Sequence, residues 1–204
     1  LDDADSVRQH ATVQAKKPEA EPGESLADGS RIREVALKRE PIFWAVGGGK
    51  GGVGKSLISA NFSLSLGRKG RKVVAVDLDL GGSNLHTCLG IDPPPAGLGD
   101  WAVGRAAELE SLLVPCGEEG VRFLSGSSDP LKISSLMDVK REELLRQLKG
   151  LDVDDVVLDL GAGTQDLTVD FFSLANRGII SVLPEPTSVE NAYRFIRAVI
   201  FRRF

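Results

Sequence analysis

IFWAVGGGKGGVGKS, residues 42–56, decides the fold. An apolar run ends in glycines, and Gly49, four further residues, Gly54, Lys55 and Ser56 satisfy the spacing of a phosphate-binding loop between a strand and a helix. The glycines let successive backbone N–H groups turn inward around phosphate oxygens, and the helix that follows brings the positive end of its dipole to the same point. Gly49, Gly51, Gly52, Val53, Gly54, Lys55 and Ser56 are therefore the candidate nucleotide-binding residues. Lys55 is placed to neutralise the β and γ phosphates, and Ser56 to offer its hydroxyl to magnesium. The loop also carries a second lysine, Lys50. Two ammonium groups converging on one phosphate cluster repel one another. Lys50 is therefore either an outward, solvated lysine or a group that reaches a phosphate held by another subunit, like an arginine finger supplied in trans. Spacing alone does not choose between these.

Outward from the loop, short apolar runs recur with little polar alternation: KVVAVDL (72–78), VRFL (121–124), DVVLDL (155–160) and GIISVL (178–183). That texture predicts parallel strands covered on both faces. Between the runs lie helical patterns, at 56–68 with Leu57, Ile58, Phe62, Leu64 and Leu66, at 134–149 with Leu144, Leu145 and Leu148 on one face, and at 187–200. The last opens with Thr187 and Glu190 at capping-box spacing. Strand and helix in repetition predict an α/β fold, a mostly parallel sheet with helices on both faces, whose ligands sit at the carboxyl ends of the strands. A phosphate-loop site needs a carboxylate there to hold the magnesium shell, and Asp159, between an apolar strand and the GAG of 161–163, supplies it. In VVAVDLDLGGSN, Asp77 and Asp79 stand two apart and share one side of a strand. One or both can face the phosphates, and Asp79, nearer Gly81 and Gly82, is the candidate for orienting the attacking water.

The remaining composition sets bounds. A length of 204 residues predicts one domain with its own core, and a net charge of −4 gives no global field to recruit nucleic acid or anionic lipid. Cys88 and Cys116, far apart in sequence and unlike a C-x-x-C pair, indicate neither a zinc ribbon nor a disulfide framework, no apolar run approaches membrane-spanning length, and LDDADSVRQH has no signal-peptide core. A cytoplasmic protein is expected. Residues 1–40 mix Pro, Gly and charges of both signs without an apolar period, predicting a flexible extension before a nucleotide-binding domain at 41–204. RFIRAVIFRRF (194–204) reads as a sheet-packing helix with a basic outer face, and PPPAGLGDW (93–101) as a rigid turn with Trp101 packed beneath it.

KGGVGKS, with its extra lysine, resembles the deviant Walker A motif of the MinD/ParA family of dimerising ATPases. VVAVDLDLGGSNLHTCLG (73–90) is similar to that family's second phosphate-proximal motif in its MinD-like form, DLGAGT (159–164) to its Walker B and switch II segment, and LPEPTSVENAYRFI (183–196) to a segment of its FlhG/FleN-type members, which control flagellar number and placement. The resemblance implies a P-loop ATPase with ATP and Mg2+ as cofactors. Lys50 is then the lysine that crosses to the partner's nucleotide, Lys55 the in-loop lysine, Ser56 a magnesium ligand, Asp79 the residue that positions water, and Asp159 a holder of magnesium through its water shell. It implies an ATP-dependent homodimer, a slow switch whose hydrolysis a partner stimulates. It also implies further strands, a base-reading segment and a membrane-binding helix beyond Phe204, so the C-terminal part of the family fold is expected to be missing here. DDADSVR (2–8) loosely resembles the element by which FlhG proteins engage the GTPase FlhF. Two departures stand: His86 occupies a place that is often acidic and is assigned no role, and Cys88 lacks the companion cysteine of iron–sulfur carriers in the family. A cargo-carrying scaffold, or a module that binds nucleotide without turnover, are the competing readings.

Overall fold

Every apolar run named above forms a strand in the computed structural model, which describes residues 39–80, 82–126 and 130–203, with the backbone alone for 130–138. Residues 1–38 of the expected extension, with its DDADSVR element, and Gly81 fall outside the described residues. In chain order the strands are β1 (Ile42–Gly47), β2 (Val73–Leu78), β3 (Val114–Pro115), β4 (Val121–Leu124), β5 (Asp155–Leu160) and β6 (Arg177–Ile180). They pair in the order β3-β4-β2-β5-β1-β6, all parallel except β3 against β4. β6 ends at Ile180, three residues short of the predicted run; beyond it Ser181 still gives its N–H to the Gly47 carbonyl and turns its hydroxyl to the Val53 carbonyl.

Alternation along the central strands divides the core in two. Phe43, Ala45, Val74, Val76, Val156 and Leu158 face α3 (Leu98–Ala102), α4 (Pro130–Gly150) and α5 (Asp166–Leu174), through Trp101, Leu144, Leu148 and Phe171. Val46, Val73, Ala75 and Val157 face α1 (Lys55–Gly67) and α2 (Leu85–Leu89). This is the expected sheet with helices on both faces. The buried residues of α1 are not its leucines but Lys55, Ser59, Ala60, Ser63 and Gly67, small residues apart from the lysine; Leu64 and Leu66 pack partly buried against the same core, and Leu57 is exposed. Small side chains let this helix approach the sheet closely, which matters for the site below. Trp101 is buried as predicted, within the short helix α3 rather than under a bare turn, with the Lys140 ammonium 5.2 Å from its ring centroid.

α6 (Pro186–Arg203) begins one residue before the predicted start, at a proline whose missing N–H costs a first turn nothing. No Thr187–Glu190 box closes it: Thr187 accepts from Lys50, Glu190 pairs with Arg194, and Ser188 accepts the Leu183 N–H at 3.0 Å. Ala192 and Phe195 are buried, and Phe195 meets Phe172 edge-to-face at 5.0 Å between centroids. Ile196, Ile200 and Phe201, read as the packed face of this helix, are exposed.

β5 carries two carboxylates four residues apart, and alternation turns both to the α1 side. At its amino end Asp155, almost wholly buried, accepts Trp44 Nε1–H at 2.9 Å and the Arg71 guanidinium, which holds the arginine's pKa above its ordinary value. Asp155→Ala would strand a partly buried indole N–H and half of an ion pair whose arginine is partly solvated, so a loss of about 2 kcal/mol in urea unfolding is expected. Nucleotide affinity should hold, because the change lies at the end of β5 remote from the phosphate loop.

Candidate functional site

The phosphate loop is shaped by two kinds of glycine. Gly52 and Gly54 have φ of +75° and +84°, a region that L side chains rarely adopt, and Cβ atoms there or at Gly51 would meet nothing within 4 Å. Gly49 is excluded from larger residues by space instead: its Cβ would lie 2.1 Å from the Asn191 carbonyl oxygen, because α6 rests on the loop. The loop is also tied to its neighbours by Ser181 N–H to the Gly47 carbonyl at 3.0 Å and Gly163 N–H to the Gly48 carbonyl at 3.1 Å. Gly54 precedes α1 with no side-chain cap, so the first-turn N–H groups of a thirteen-residue helix face the open space above the loop. Uncapped donors beside open space fit a phosphate chain.

Lys55, Ser56 and Asp159, of the predicted residues, come together at this point. Lys55 is nearly buried, its Nζ 3.5 Å from the Lys50 carbonyl oxygen. Ser56, the second residue of α1, faces the carboxylate of Asp159, at the far end of β5. Asp159 Oδ1 accepts the Ser59 hydroxyl at 2.9 Å, whereas Oδ2, fully buried, has no hydrogen-bond partner among the described residues. Burial raises the Asp159 pKa, the Ser56 and Ser59 hydroxyls and Lys55 oppose that rise, and Asp79 adds to it. A buried, unanswered carboxylate oxygen beside a serine hydroxyl is the donor set a hard divalent cation takes. These residues fit magnesium.

The two aspartates of β2 and its exit part company. Asp77 stands in register with Asp159 and accepts the backbone N–H of Asp79 at 3.1 Å and of Leu85 at 3.2 Å. Burial, with Asp159 alongside, pushes its pKa up to about 7. Asp77 is thus committed to holding the loop that leads into α2. Asp79 is half-buried, its Oδ1 only 3.3 Å from where a Cβ on Gly161 would be, against the segment that follows β5.

Lys50 does not join Lys55. Its ammonium turns to the start of α6, where it pairs with Glu185 and lies 3.4 Å from Thr187 Oγ1, with its side chain 39% exposed. Sequence reasoning missed Glu185, Ser59 and the holding role of Asp77; the only local signal for Glu185 was its place before the proline that opens α6. His86 and Cys88 sit in α2, and among the described residues no group of three or more His, Cys, Asp and Glu is placed to hold a metal ion.

A model of the ParA family, described as NUBPL iron-transfer P-loop NTPase, matches residues 42–200. The antiactivator FleN of Pseudomonas aeruginosa is 36% identical over 155 residues, 75% of this chain and 54% of FleN. The flagellum site-determining protein YlxH of Helicobacter pylori is 33% identical over 166 residues, 76% of this chain and 52% of YlxH. The chain spans about half the length of these curated relatives. Among solved structures, the septum site-determining protein MinD of Pyrococcus horikoshii, complexed with Mg-ADP, matches with a TM-score of 0.69 at 31% identity, covering 79% of this chain and 65% of that one. The motif resemblance and the fold lead to one family. With its phosphate loop, its second lysine and these relatives, the chain belongs to the ParA family of P-loop NTPases.

Proposed function

We propose that this chain is a nucleotide-dependent dimerising switch that binds ATP with magnesium and hydrolyses it slowly, acting in the cytoplasm on the placement or number of a cellular structure such as the flagellum. The observation that carries the reading is the separation of the two lysines. Lys55 is buried inside the loop, while Lys50 stands at the rim and points away from its own phosphate position. A lysine so placed is suited to a second subunit's nucleotide. The flagellar part rests on the likeness to FleN and YlxH. Extension 1–40 is read as the docking segment for a regulatory GTPase. Among the described residues no helix is long and apolar enough to cross a membrane.

Each residue then has a task. The N–H groups of the loop and of the first turn of α1 bind the phosphates, and Lys55 neutralises them. Ser56 and Asp159 would hold magnesium, which when bound neutralises charge on the phosphate oxygens. Asp79 orients the attacking water, and Lys50 adds charge stabilisation from the partner. The Lys50–Glu185 pair gives the free chain a stowed state that dimerisation must open. Both side chains are about two-fifths exposed, so opening costs at most about 1 kcal/mol.

Sedimentation velocity with magnesium and either ADP or ATP tests this. A dimer is expected with ATP alone, and Lys50→Ala should abolish it while nucleotide binding by the monomer persists; a Lys50→Ala dimer would overturn the finger role. Asp79→Ala should form the dimer and stall, with turnover lowered by about 100-fold or more, the range for losing a positioned acid–base group. Glu185→Gln should lower the ATP concentration for half-maximal dimerisation by about two- to five-fold, the equivalent of 0.5–1 kcal/mol.

A further inference from the structure

We propose that Ser59 is a positioning residue for magnesium, its hydroxyl fixing the Asp159 carboxylate so that Oδ2 is the oxygen presented toward Ser56. This rests on reading Asp159 as the magnesium-side carboxylate. Ser59 stands three residues after Ser56, so both fall on the same face of α1. It is fully buried and gives its only hydroxyl proton to Asp159 Oδ1 at 2.9 Å. Ser63, one turn further, donates to the Ser59 carbonyl at 2.8 Å, so both hydroxyls on this buried side of the helix are committed.

The arrangement leaves one oxygen of Asp159 held and the other unanswered. A carboxylate with neither oxygen held would rotate about its terminal torsion. One bond from Ser59 suppresses that rotation. The cost of leaving Oδ2 unpaired in a dry site is recovered only when a cation arrives. Ser59 thereby couples α1, which also carries Lys55 and Ser56, to the end of β5 as a single unit. Alanine at 59 would keep the packing and remove that coupling.

The test is binding of a fluorescent ADP analogue across a series of free magnesium concentrations. Wild-type affinity should rise with magnesium. Ser59→Ala should need roughly ten-fold more magnesium for the same half-effect, the usual cost of deleting a group that orients a ligand, with metal-free affinity unchanged. Ser59→Thr keeps the hydroxyl and should restore the wild-type midpoint. Ser59→Cys, a weaker donor of similar volume, should shift it in the same direction by less, and serves if the alanine variant does not fold. In an Asp159→Asn background Ser59→Ala should move the midpoint no further. A wild-type midpoint in both Ser59→Ala and Ser59→Cys, or a shift that adds in full to Asp159→Asn, overturns the role of Ser59 and leaves the Asp159 reading standing. No magnesium dependence in the wild type overturns both.

Discussion

A strand buried on both faces cannot carry a carboxylate unless its neighbours answer it, and β5 carries two. Much of the molecule is arranged around that constraint. At the amino end the answer is complete: indole and guanidinium take both oxygens of Asp155, and the strand is locked to β1 and to the turn before β2. At the carboxyl end it is incomplete, since Ser59 takes one oxygen of Asp159 and none of the described residues takes the other. The same residue type on the same strand face is thus paired in full by the fold at one end and only in part at the other.

The cluster around Asp159 is kept from collapsing into a web of internal pairs by the directions of its cations. Lys55 is held inside the loop and Lys50 is drawn off to Glu185, so neither sits on Oδ2. Asp77, in register beside Asp159, receives two backbone N–H groups, and these stabilise a second buried carboxyl without a cation. Close packing of three aspartates raises the cost of charge here, and that cost favours binding of a cation.

How much of this was legible follows from the reach of each interaction. The phosphate loop and the buried strands are local patterns, so IFWAVGGGKGGVGKS and DVVLDL carried the fold and placed Asp159. Ser59 and Glu185 find their partners 100 and 135 residues away, and no local spacing encodes such a pairing. β3, two residues long, and α2, five residues long, are too short for any period to appear. In α1 the leucines drew attention, whereas the small buried residues were the informative ones. In α6 the apolar spacing marked which residues share a face, but not whether another element reaches that face, and Ile200 and Phe201 stand exposed.

The contact between α6 and Gly49 makes the phosphate loop answerable to a segment that follows it by about 140 residues in sequence. Gly52 and Gly54 are demanded by torsion, a property of the loop alone, and would be demanded in any chain that folds it this way. Gly49 is demanded by distance, and only while the main chain at Asn191 stays where it is. The run of glycines is therefore two records written in one letter. Divergence at 52 and 54 would have to change the loop, whereas divergence at 49 would have to change the docking of a helix.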